Sequence, residues 1–194
     1  MKEFISLIAG LGNPEEEYSN TRHNVGFNFT NYLSKAFNKN LLLEKRFEGE
    51  ITDIYIESRK IFLLKPLNYM NNSGKSVFSV ASYYKIKPEN ILIVHDDLDL
   101  PIGISKLKFS GGHGGHNGVR DIINQVGKDF WRLRLGIGHP GNNDKDKVTN
   151  HVLGKMNDEE ISSINSTIEF SVSILHCFLT KGSDYAINKL HNKN

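Results

Sequence analysis

This chain of 194 residues is poor in cysteine and in long apolar runs, and these absences exclude several classes of protein. It has one cysteine, Cys177, so no intrachain disulfide can form, which is typical of proteins in a reducing cytoplasm. No apolar run approaches the roughly 18 residues that a membrane span needs. The apolar start, residues 4–9, is short and is soon followed by polar Gly-Asn-Pro, so we interpret it as a buried strand and not as a signal peptide.

Nothing in the sequence marks a boundary between domains. There is no internal repeat and no linker, and the length fits one domain with a real hydrophobic core. We therefore expect a cytoplasmic protein with a single domain over residues 1–194.

The net charge of the chain is small as well. The 24 basic and 22 acidic residues leave a net charge of +2, which is too little to demand a nucleic-acid partner. Each lysine, taken singly, is most simply a solvated surface charge. As a group, however, the basic residues that flank one glycine-rich segment favour a phosphate-contacting face. These are Lys106, Lys108, Arg120, Arg132 and Arg134, with Lys145 and Lys147 further on.

A nucleophile for covalent catalysis is also missing. The chain has no Gly-x-Ser-x-Gly motif. Cys177 lies among Ile174, Leu175 and Phe178 in a predicted helix, and we interpret it as an inert core residue. If the protein is a hydrolase, the attacking group is therefore water, activated by a general base or by a metal ion.

The most distinctive segment that is present is a loop with five glycines among eight residues, 111–118, here called the glycine loop. Its other members are His113, His116 and Asn117. It leads into a helix predicted to end near Val126, and helix N-termini present N–H groups that attract anions. So many glycines cost backbone entropy, which makes function a better explanation for the loop than stability.

Strands that alternate with helices predict an α/β fold with three layers, in which a twisted mixed sheet is flanked by helices. A hairpin turning at Ser58-Arg59 is the reason to expect a mixed sheet. Ser73 is predicted to cap a helix, and the polar stretch 138–150 to be a mobile surface loop. The predicted strands are 4–9, 50–57, 60–65, 91–94, 105–109 and 133–137, and the longer predicted helices are 21–37 and 158–179.

Polar side chains collect just after the predicted strands. Ligands of open α/β sheets bind beyond the carboxyl ends of the strands, so we expect these groups from five segments to share one edge. They are Asn13, Tyr18, His23 and Asn24, then Asn68, Tyr69 and Asn71, then His95 and Asp96, then His113, His116 and Asn117, and finally His139.

Local patterns leave the chemistry of this edge open. His113-x-x-His116 with an aspartate has a spacing that zinc sites use, although zinc pairs of this kind usually lie on a helix and not in a glycine loop. A histidine oriented by Asp96 would instead serve as a general base near neutral pH, but spacing alone does not choose the histidine. Three asparagines, Asn13, Asn71 and Asn117, suit an oxyanion or a peptide group.

Five motifs, in order and with matching spacing over essentially the whole chain, resemble those of bacterial peptidyl-tRNA hydrolases. They are Gly10-Leu11-Gly12-Asn13-Pro14 with Tyr18 and Thr21-Arg22-His23-Asn24-Val25-Gly26, then Tyr69-Met70-Asn71-Asn72-Ser73-Gly74, then residues 95–101, 111–118 and 132–140. Such enzymes cleave the ester that joins a peptide to the 3′ end of tRNA, freeing tRNA from prematurely released chains. They use no metal, no other cofactor and no covalent intermediate.

The resemblance implies a role for each matching residue. His23 would be the general base and Asp96 would hold and polarise it, with Asp97 peripheral. Asn71 and Asn117 would bind substrate near the ester, and Asn13 would help to distinguish a blocked amino group from a free one. The remaining implied roles are Tyr18 and Tyr69 packing on the tRNA end, His116 lining the cleft, and Lys106, Lys108 and Arg134 clamping tRNA phosphate.

The expected partner is thus peptidyl-tRNA, with no membrane, and the expected state is a monomer. Two other hypotheses from different classes remain. One is a zinc-dependent hydrolase that uses His113, His116 and an aspartate. The other is an RNA-binding module without catalysis.

Overall fold

The computed structural model describes residues 4–141 and 144–191. In these residues seven strands form one sheet. The strands are β1 (Leu7–Gly10), β2 (Leu42–Glu44), β3 (Gly49–Ile56), β4 (Arg59–Pro66), β5 (Ile91–Asp97), β6 (Ser105–Phe109) and β7 (Trp131–Gly136). The α-helices are α1 (Val25–Ala36), α2 (Ser73–Tyr83), α3 (Asn117–Val126), α4 (Lys145–Leu153), α5 (Asp158–Lys181) and α6 (Ser183–His191). None of the helices described is long and apolar enough to cross a membrane.

The sheet is parallel at its centre and antiparallel at its edges. Its order is β2-β3-β4-β1-β5-β7-β6. Strand β1 pairs in parallel with β4 and β5, and β5 with β7, whereas the β2–β3, β3–β4 and β6–β7 pairs are antiparallel. The predicted mixed sheet is therefore confirmed. The carboxyl ends of the four parallel strands β1, β4, β5 and β7 meet at one edge, where ligands of such sheets bind.

Two hydrophobic layers lie on opposite faces of the sheet. Successive strand residues point to opposite faces, so Ile8 belongs to one layer while Leu7 and Ala9 belong to the other. The first layer is completed by residues of α1 and α5, such as Phe29 and Ile168. The second layer includes residues of α2 and α3, among them Val77, Val80, Val119 and Ile122. This confirms the predicted arrangement of helices on both sides of the sheet.

Glycines bring α1 unusually close to the centre of the sheet. A Cβ at Gly10 would lie 2.0 Å from the carbonyl oxygen of Gly26, and one at Gly26 would lie 2.4 Å from the backbone nitrogen of Leu11. Only glycine permits this approach. Because α1 is held here, the short 3₁₀ turn Arg22–Asn24 that precedes it lies over the carboxyl ends of β1 and β5.

Several expectations about local structure are wrong. The hairpin turns at Glu57-Ser58, both in the left-handed region, and Arg59 already pairs with Ile56. Ser73 does not cap α2; it is the first helical residue, and its hydroxyl donates to the carbonyl of Met70 at 3.0 Å. The segment 21–37 begins with the 3₁₀ turn and is α-helical only from Val25.

The stretch 138–150 is not a continuous loop, because α4 begins at Lys145. The side chain of Asp144 accepts hydrogen bonds from the backbone N–H groups of Asp146 and Lys147 and so caps this helix. Residues 142–143 of the predicted loop lie outside the described residues. Cys177 is only half-buried on α5 and is not a core residue.

Candidate active site

The centre of the candidate site is a buried histidine–carboxylate pair. His23 comes from the 3₁₀ turn before α1, and Asp96 comes from the end of β5. Nδ1 of His23 lies 2.9 Å from each carboxylate oxygen of Asp96, and the two residues are only 9% and 3% exposed. Since an ionised carboxylate only accepts, Nδ1 carries the proton and Nε2 of the neutral ring is free to take one.

The electrostatics of the pair follow from burial and mutual attraction. Burial lowers the pKa of His23, but the charge of Asp96 and its hydrogen bond raise it more, so the net pKa lies above the ordinary histidine value. Burial alone would raise the pKa of Asp96, but His23 and His116 outweigh it and hold that pKa well below its usual range. Asp96 therefore stays ionised at any pH where the protein works.

A second histidine binds the same carboxylate. Nε2 of His116 lies 2.9 Å from Oδ1 of Asp96. Nδ1 of His116 accepts a hydrogen bond of 3.3 Å from the backbone N–H of Val119, so His116 is the N-cap of α3. The His116 ring also contacts that of His23, with centroids 5.0 Å apart. The sequence predicted His116 as a residue lining the cleft, and the structure adds its direct bond to Asp96.

A third histidine, His95, is hydrogen-bonded to the backbone of Asp96. Nδ1 of His95 lies 2.6 Å from the carbonyl oxygen of Asp96, and the His95 ring packs edge-on against His116 at 4.8 Å. Burial is the main cause that lowers the pKa of His95 to about 3, so this ring is neutral at physiological pH. Its Nε2 atom is buried and has no hydrogen-bond partner in the described residues.

Asn13 connects two of the predicted binding segments. Its side-chain oxygen accepts from the backbone N–H of Met70 at 2.9 Å, so the loop after β4 that carries Tyr69 and Asn71 is fixed to the loop after β1. Asn13 is itself held by Asn24, which accepts from the Asn13 N–H at 2.8 Å and donates to the Asn13 carbonyl at 2.9 Å. The sequence placed Asn24 among the polar groups at this edge without giving it a role, and the structure shows that it holds Asn13.

The other binding candidates are more exposed. Asn71 and Asn117 are exposed, and the side-chain oxygen of Asn117 accepts from Arg120 at 2.7 Å. Tyr69 is 54% exposed and lies beside Glu15, whose carboxylate raises the pKa of its hydroxyl. Tyr18 is half-buried, and Glu17 raises the pKa of its hydroxyl in the same way.

The predicted phosphate-binding residues lie on neighbouring strands. The β6–β7 register sets Lys106 opposite Arg134 and Lys108 opposite Arg132, and opposed residues share one face of the sheet. Arg134 is paired with Asp97, whose Oδ2 lies 2.5 Å from the Arg134 Nε. Asp97, for which the resemblance implies a peripheral role, thus lines the cleft.

The sequence counted Arg132 among the basic residues that favour a phosphate-contacting face, but the structure buries this side chain and bonds it to the backbone. It is 4% exposed, and its guanidinium donates to the carbonyls of Ser110 and, at 2.7 Å, Gly112. Ser110 itself has a left-handed φ of 57°. Arg132 therefore holds the entrance of the glycine loop against β7. The signal for it was the alternation in Arg-Leu-Arg, which places Arg132 and Arg134 on one face.

A cleft of about 460 Å³ joins the histidine–carboxylate centre to the basic strands. Six predicted site residues line it, and the other five lie outside its lining. Lining the cleft are His23, Asp96, His116, Asn117, Lys108 and Arg134; outside are Asn13, Tyr18, Tyr69, Asn71 and Lys106. The prediction that polar groups share one edge is thus confirmed for seven residues that line the cleft. They are His23, His95, Asp96, His113, His116, Asn117 and His139.

A metal ion would have to use a different group from the one that the sequence proposed. His23, Asp96 and His116 place ligand atoms within 4.8 Å of one another, whereas Nδ1 of His113 accepts from the N–H of Gly115 at 3.1 Å. Nε2 of His116 must keep its proton, because Nδ1 of that ring accepts from Val119. Metal binding at Nε2 would move this proton to Nδ1 and break the helix cap, so the arrangement favours hydrogen bonding.

Comparison with known proteins agrees with this geometry. A family model described as peptidyl-tRNA hydrolase matches residues 7–194. The chain is 47% identical to the peptidyl-tRNA hydrolase of Ruthia magnifica subsp. Calyptogena magnifica, over 97% of this chain and 98% of that one. It is 45% identical to that of Hahella chejuensis, over 99% and 98%. The crystal structure of peptidyl-tRNA hydrolase from Acinetobacter baumannii is 43% identical, with a TM-score of 0.93 over 99% of this chain and 97% of that one. The chain therefore belongs to the peptidyl-tRNA hydrolase family.

Proposed function

We propose that this protein hydrolyses peptidyl-tRNA, cleaving the ester between the peptide and the 3′ oxygen of the tRNA and so returning tRNA from prematurely released chains to translation. The names and the high identity of its relatives support the substrate. The observation that carries the reaction is the buried His23–Asp96 pair at the base of the cleft. In the described residues no hydrogen bond occupies Nε2 of His23, which leaves that atom for water.

His23 acts as the general base. Its Nε2 takes a proton from water as the water oxygen attacks the ester carbonyl, and the imidazolium that forms is stabilised by Asp96. The tetrahedral intermediate then breaks its bond to the 3′ oxygen, and His23 returns the proton to that leaving oxygen. General-base catalysis of this kind contributes roughly 10²–10⁴-fold. No covalent enzyme intermediate, metal or other cofactor is needed.

The asparagines bind the acyl part of the substrate. Asn117 lies directly after His116 and lines the same cleft, so its amide N–H₂ suits the developing oxyanion. Asn71 follows Met70, whose backbone is fixed by Asn13, so Asn71 is placed to bind the peptide from the other side. Loss of one oxyanion donor costs about 3 kcal/mol in known hydrolases.

Asn13 provides the discrimination between peptidyl-tRNA and aminoacyl-tRNA, which share the same ester. Its side-chain oxygen is already used by Met70, so the group it offers to substrate is the N–H₂ donor. A donor pairs with the carbonyl of a blocked amino group. It offers nothing to a free ammonium, which would be desolvated without a partner.

The basic strands bind the tRNA. Lys106, Lys108 and Arg134 lie on one sheet face beside the cleft, and phosphate contacts are sequence-independent, as a substrate set of all tRNAs requires. Tyr18 and Tyr69 present aromatic surface near the Asn13 loop, where the unpaired 3′ end can stack. Their neighbours Glu15 and Glu17 repel phosphate, so the backbone of the tRNA approaches from the basic side.

We also propose, as the resemblance implies, that the protein acts as a monomer with a single domain over residues 1–194, and that it works in the cytoplasm, where translation forms its substrate. Its monomeric state is checked by sedimentation.

The proposed function is tested by cleavage of N-acetyl-aminoacyl-tRNA with purified protein. His23→Ala should reduce kcat by about 10³-fold, from the loss of the base, while the circular dichroism spectrum is retained. The exposed His176, replaced by alanine, is the matched control.

Two arms of the same assay separate the other hypotheses. Activity that survives EDTA agrees with the proposed reaction, whereas a loss that zinc restores would establish a metallohydrolase. Binding of tRNA without any cleavage by the wild-type protein would leave only an RNA-binding module. Near-normal turnover by His23→Ala would remove His23 from the mechanism.

A further inference from the structure

Asp96 is bound by one histidine more than its task requires. A carboxylate that orients a general base needs one hydrogen bond to that base, as His23 provides. Here Oδ1 of Asp96 also accepts from Nε2 of His116 at 2.9 Å, and in the described residues no other side chain is hydrogen-bonded to this carboxylate. The second bond is largely shielded from solvent, since the side chains of His116 and Asp96 are 9% and 3% exposed.

The N-cap of α3 fixes the chemical form of His116. The backbone N–H of Val119 can only donate, so Nδ1 of His116, 3.3 Å away, must accept. The single proton of the neutral ring is therefore on Nε2 and points at Asp96. A protonated or alternative tautomer would place two hydrogens face to face at the cap. His116 is thus a fixed N–H donor and not a second base.

We propose that His116 is a positioning residue of the reaction, whose Nε2–H holds the Asp96 carboxylate in the plane that His23 needs and, through the helix cap, ties this carboxylate to the neighbouring substrate-binding residue Asn117. This inference rests on the proposed function for its effect on turnover. The bond between His116 and Asp96 has a second consequence that does not depend on substrate.

That consequence concerns the proton affinity of His23. The N–H of His116 takes up part of the negative charge of Asp96, which weakens the attraction of Asp96 for a proton on His23. Removing this donor should therefore raise the pKa of His23. Other charged or titratable groups also face the site. From the sheet and the loops beside it these are His95, Asp97, Asp99, Lys108, His113, Arg132, Arg134 and His139. From the neighbouring helices they are His151 of α4 and Glu160 of α5, with Arg22 of the 3₁₀ turn. They are the same in the variants below.

Two substitutions separate the two nitrogens of His116. In His116→Asn the amide oxygen lies roughly where Nδ1 was and can keep the cap, but nothing reaches Asp96. In His116→Gln the amide nitrogen lies roughly where Nε2 was and can donate to Asp96, but the cap is lost. We expect His116→Asn to lower kcat about tenfold, as loss of a hydrogen bond to a charged group does, with little change in KM. His116→Gln should recover most of that loss.

The second readout is the titration of His23, followed by NMR of the ring signals in the free protein and by the pH dependence of kcat/KM. Because His23 must be neutral to act, a higher pKa in His116→Asn moves the acid limb to higher pH, whereas His116→Gln should titrate like the wild type. The exposed His176 ring gives an internal reference, because its signals should be the same in the wild type and in both variants at each pH.

The proposal is overturned if both variants lose activity equally, or if the His23 titration in His116→Asn matches that of the wild type. Equal loss would mean that the bond to Asp96 is not what the activity depends on, and loss confined to His116→Gln would mean that the helix cap alone matters. If the wild-type protein cleaves no peptidyl-tRNA, the proposed function fails, but the NMR titration still decides whether His116 tunes the His23–Asp96 pair.

Discussion

The buried and the exposed parts of the candidate site are built in opposite ways. The reaction centre, His23, Asp96 and His116, lies at the ends of rigid elements and is joined by buried hydrogen bonds of 2.9 Å. The binding rim, which comprises Tyr18, Tyr69, Asn71, Asn117, Lys106 and Lys108, is exposed or half-exposed. The hydrogen bond found for the side chain of Asn117 comes from Arg120 of its own helix.

This difference matches what each part has to do. A general base works only when its ring is already oriented and its neighbours already polarised, so that no reorganisation accompanies the reaction. The rim instead has to accept any peptide and any tRNA, and adaptable polar contacts suit that task. We therefore expect substitutions at the reaction centre to act on kcat and substitutions at the rim to act on KM, except at Asn117, whose proposed contact with the oxyanion should act on kcat.

Asp96→Asn tests the reaction centre and should have the largest effect. The amide keeps the size of the carboxylate but not its charge, and it can present a donor to His23 and so favour the wrong tautomer. We expect kcat to fall about 10³–10⁴-fold, as in the comparable substitution of catalytic triads, with KM almost unchanged. A rise in KM with normal kcat, measured under single-turnover conditions, would mean that Asp96 belongs functionally to the rim.

Arg132→Met tests the connection between the two parts and should have the next largest effect. The substitution removes the bonds from Arg132 to Ser110 and Gly112 and so loosens the glycine loop. Burial lowers the pKa of the Arg132 guanidinium, in keeping with the cost of placing a charge inside a protein. Removing the charge should offset the lost hydrogen bonds, so Tm should change little while KM rises about tenfold.

Hydrogen exchange gives the physical check on Arg132→Met. The amides of the glycine loop should exchange faster, while those of β5 should not. Replacing the exposed Arg46 by methionine is the matched control, since it removes a surface arginine that lies over Phe47 and Tyr83 and not over the loop. Unchanged exchange in the loop would show that Arg132 is not what holds it.

The sequence predicted those elements whose apolar periodicity is strong. Strand β6 was placed with its observed ends, and α5 was placed within two residues, because Ile164, Ile168 and Leu175 recur on one buried face. Helix α4 was missed because it buries no residue fully and consists mostly of residues typical of loops. Strand β2 was missed for a related reason, since its two leucines are exposed and its three residues show no alternation.

The residues of the site could be predicted from the sequence, but the hydrogen bonds between them could not. His23 and Asp96 lie 73 positions apart, so no local pattern pairs them, and only the resemblance of whole motifs did so. The bond from His116 to Asp96 depends on the backbone of the glycine loop, where Gly114 and Gly115 have φ values of 56° and 83°. Such angles are open to glycine but are not specified by it, so the direction of the His116 ring could not be read from the sequence.

Lys106→Ala with Lys108→Ala tests the basic side of the rim. Removing two cations from the face beside the cleft should raise KM about tenfold, with kcat at saturation retained, and should make the salt dependence of tRNA binding shallower by about one unit per lost phosphate contact. Lys39→Ala with Lys60→Ala is the control, because it changes the net charge equally at exposed positions away from the cleft. Equal effects of the two pairs would mean that only net charge matters.

Glu15→Gln tests the acidic side of the rim and should have the smallest effect. Glu15 lies beside the hydroxyl of Tyr69 and, with Glu17, gives this side a charge that repels phosphate. Glu15 is half-buried, and salt screens charges that solvent reaches, so we expect KM for peptidyl-tRNA to fall only about two- to threefold at low salt and the difference to vanish at about 0.5 M salt. The pKa of Tyr69, followed by its ultraviolet absorbance, should fall toward its ordinary value. An increase in KM would instead mean that Glu15 contacts substrate, because a repelling charge cannot improve binding, and the rim would then recognise the peptide partly through this carboxylate.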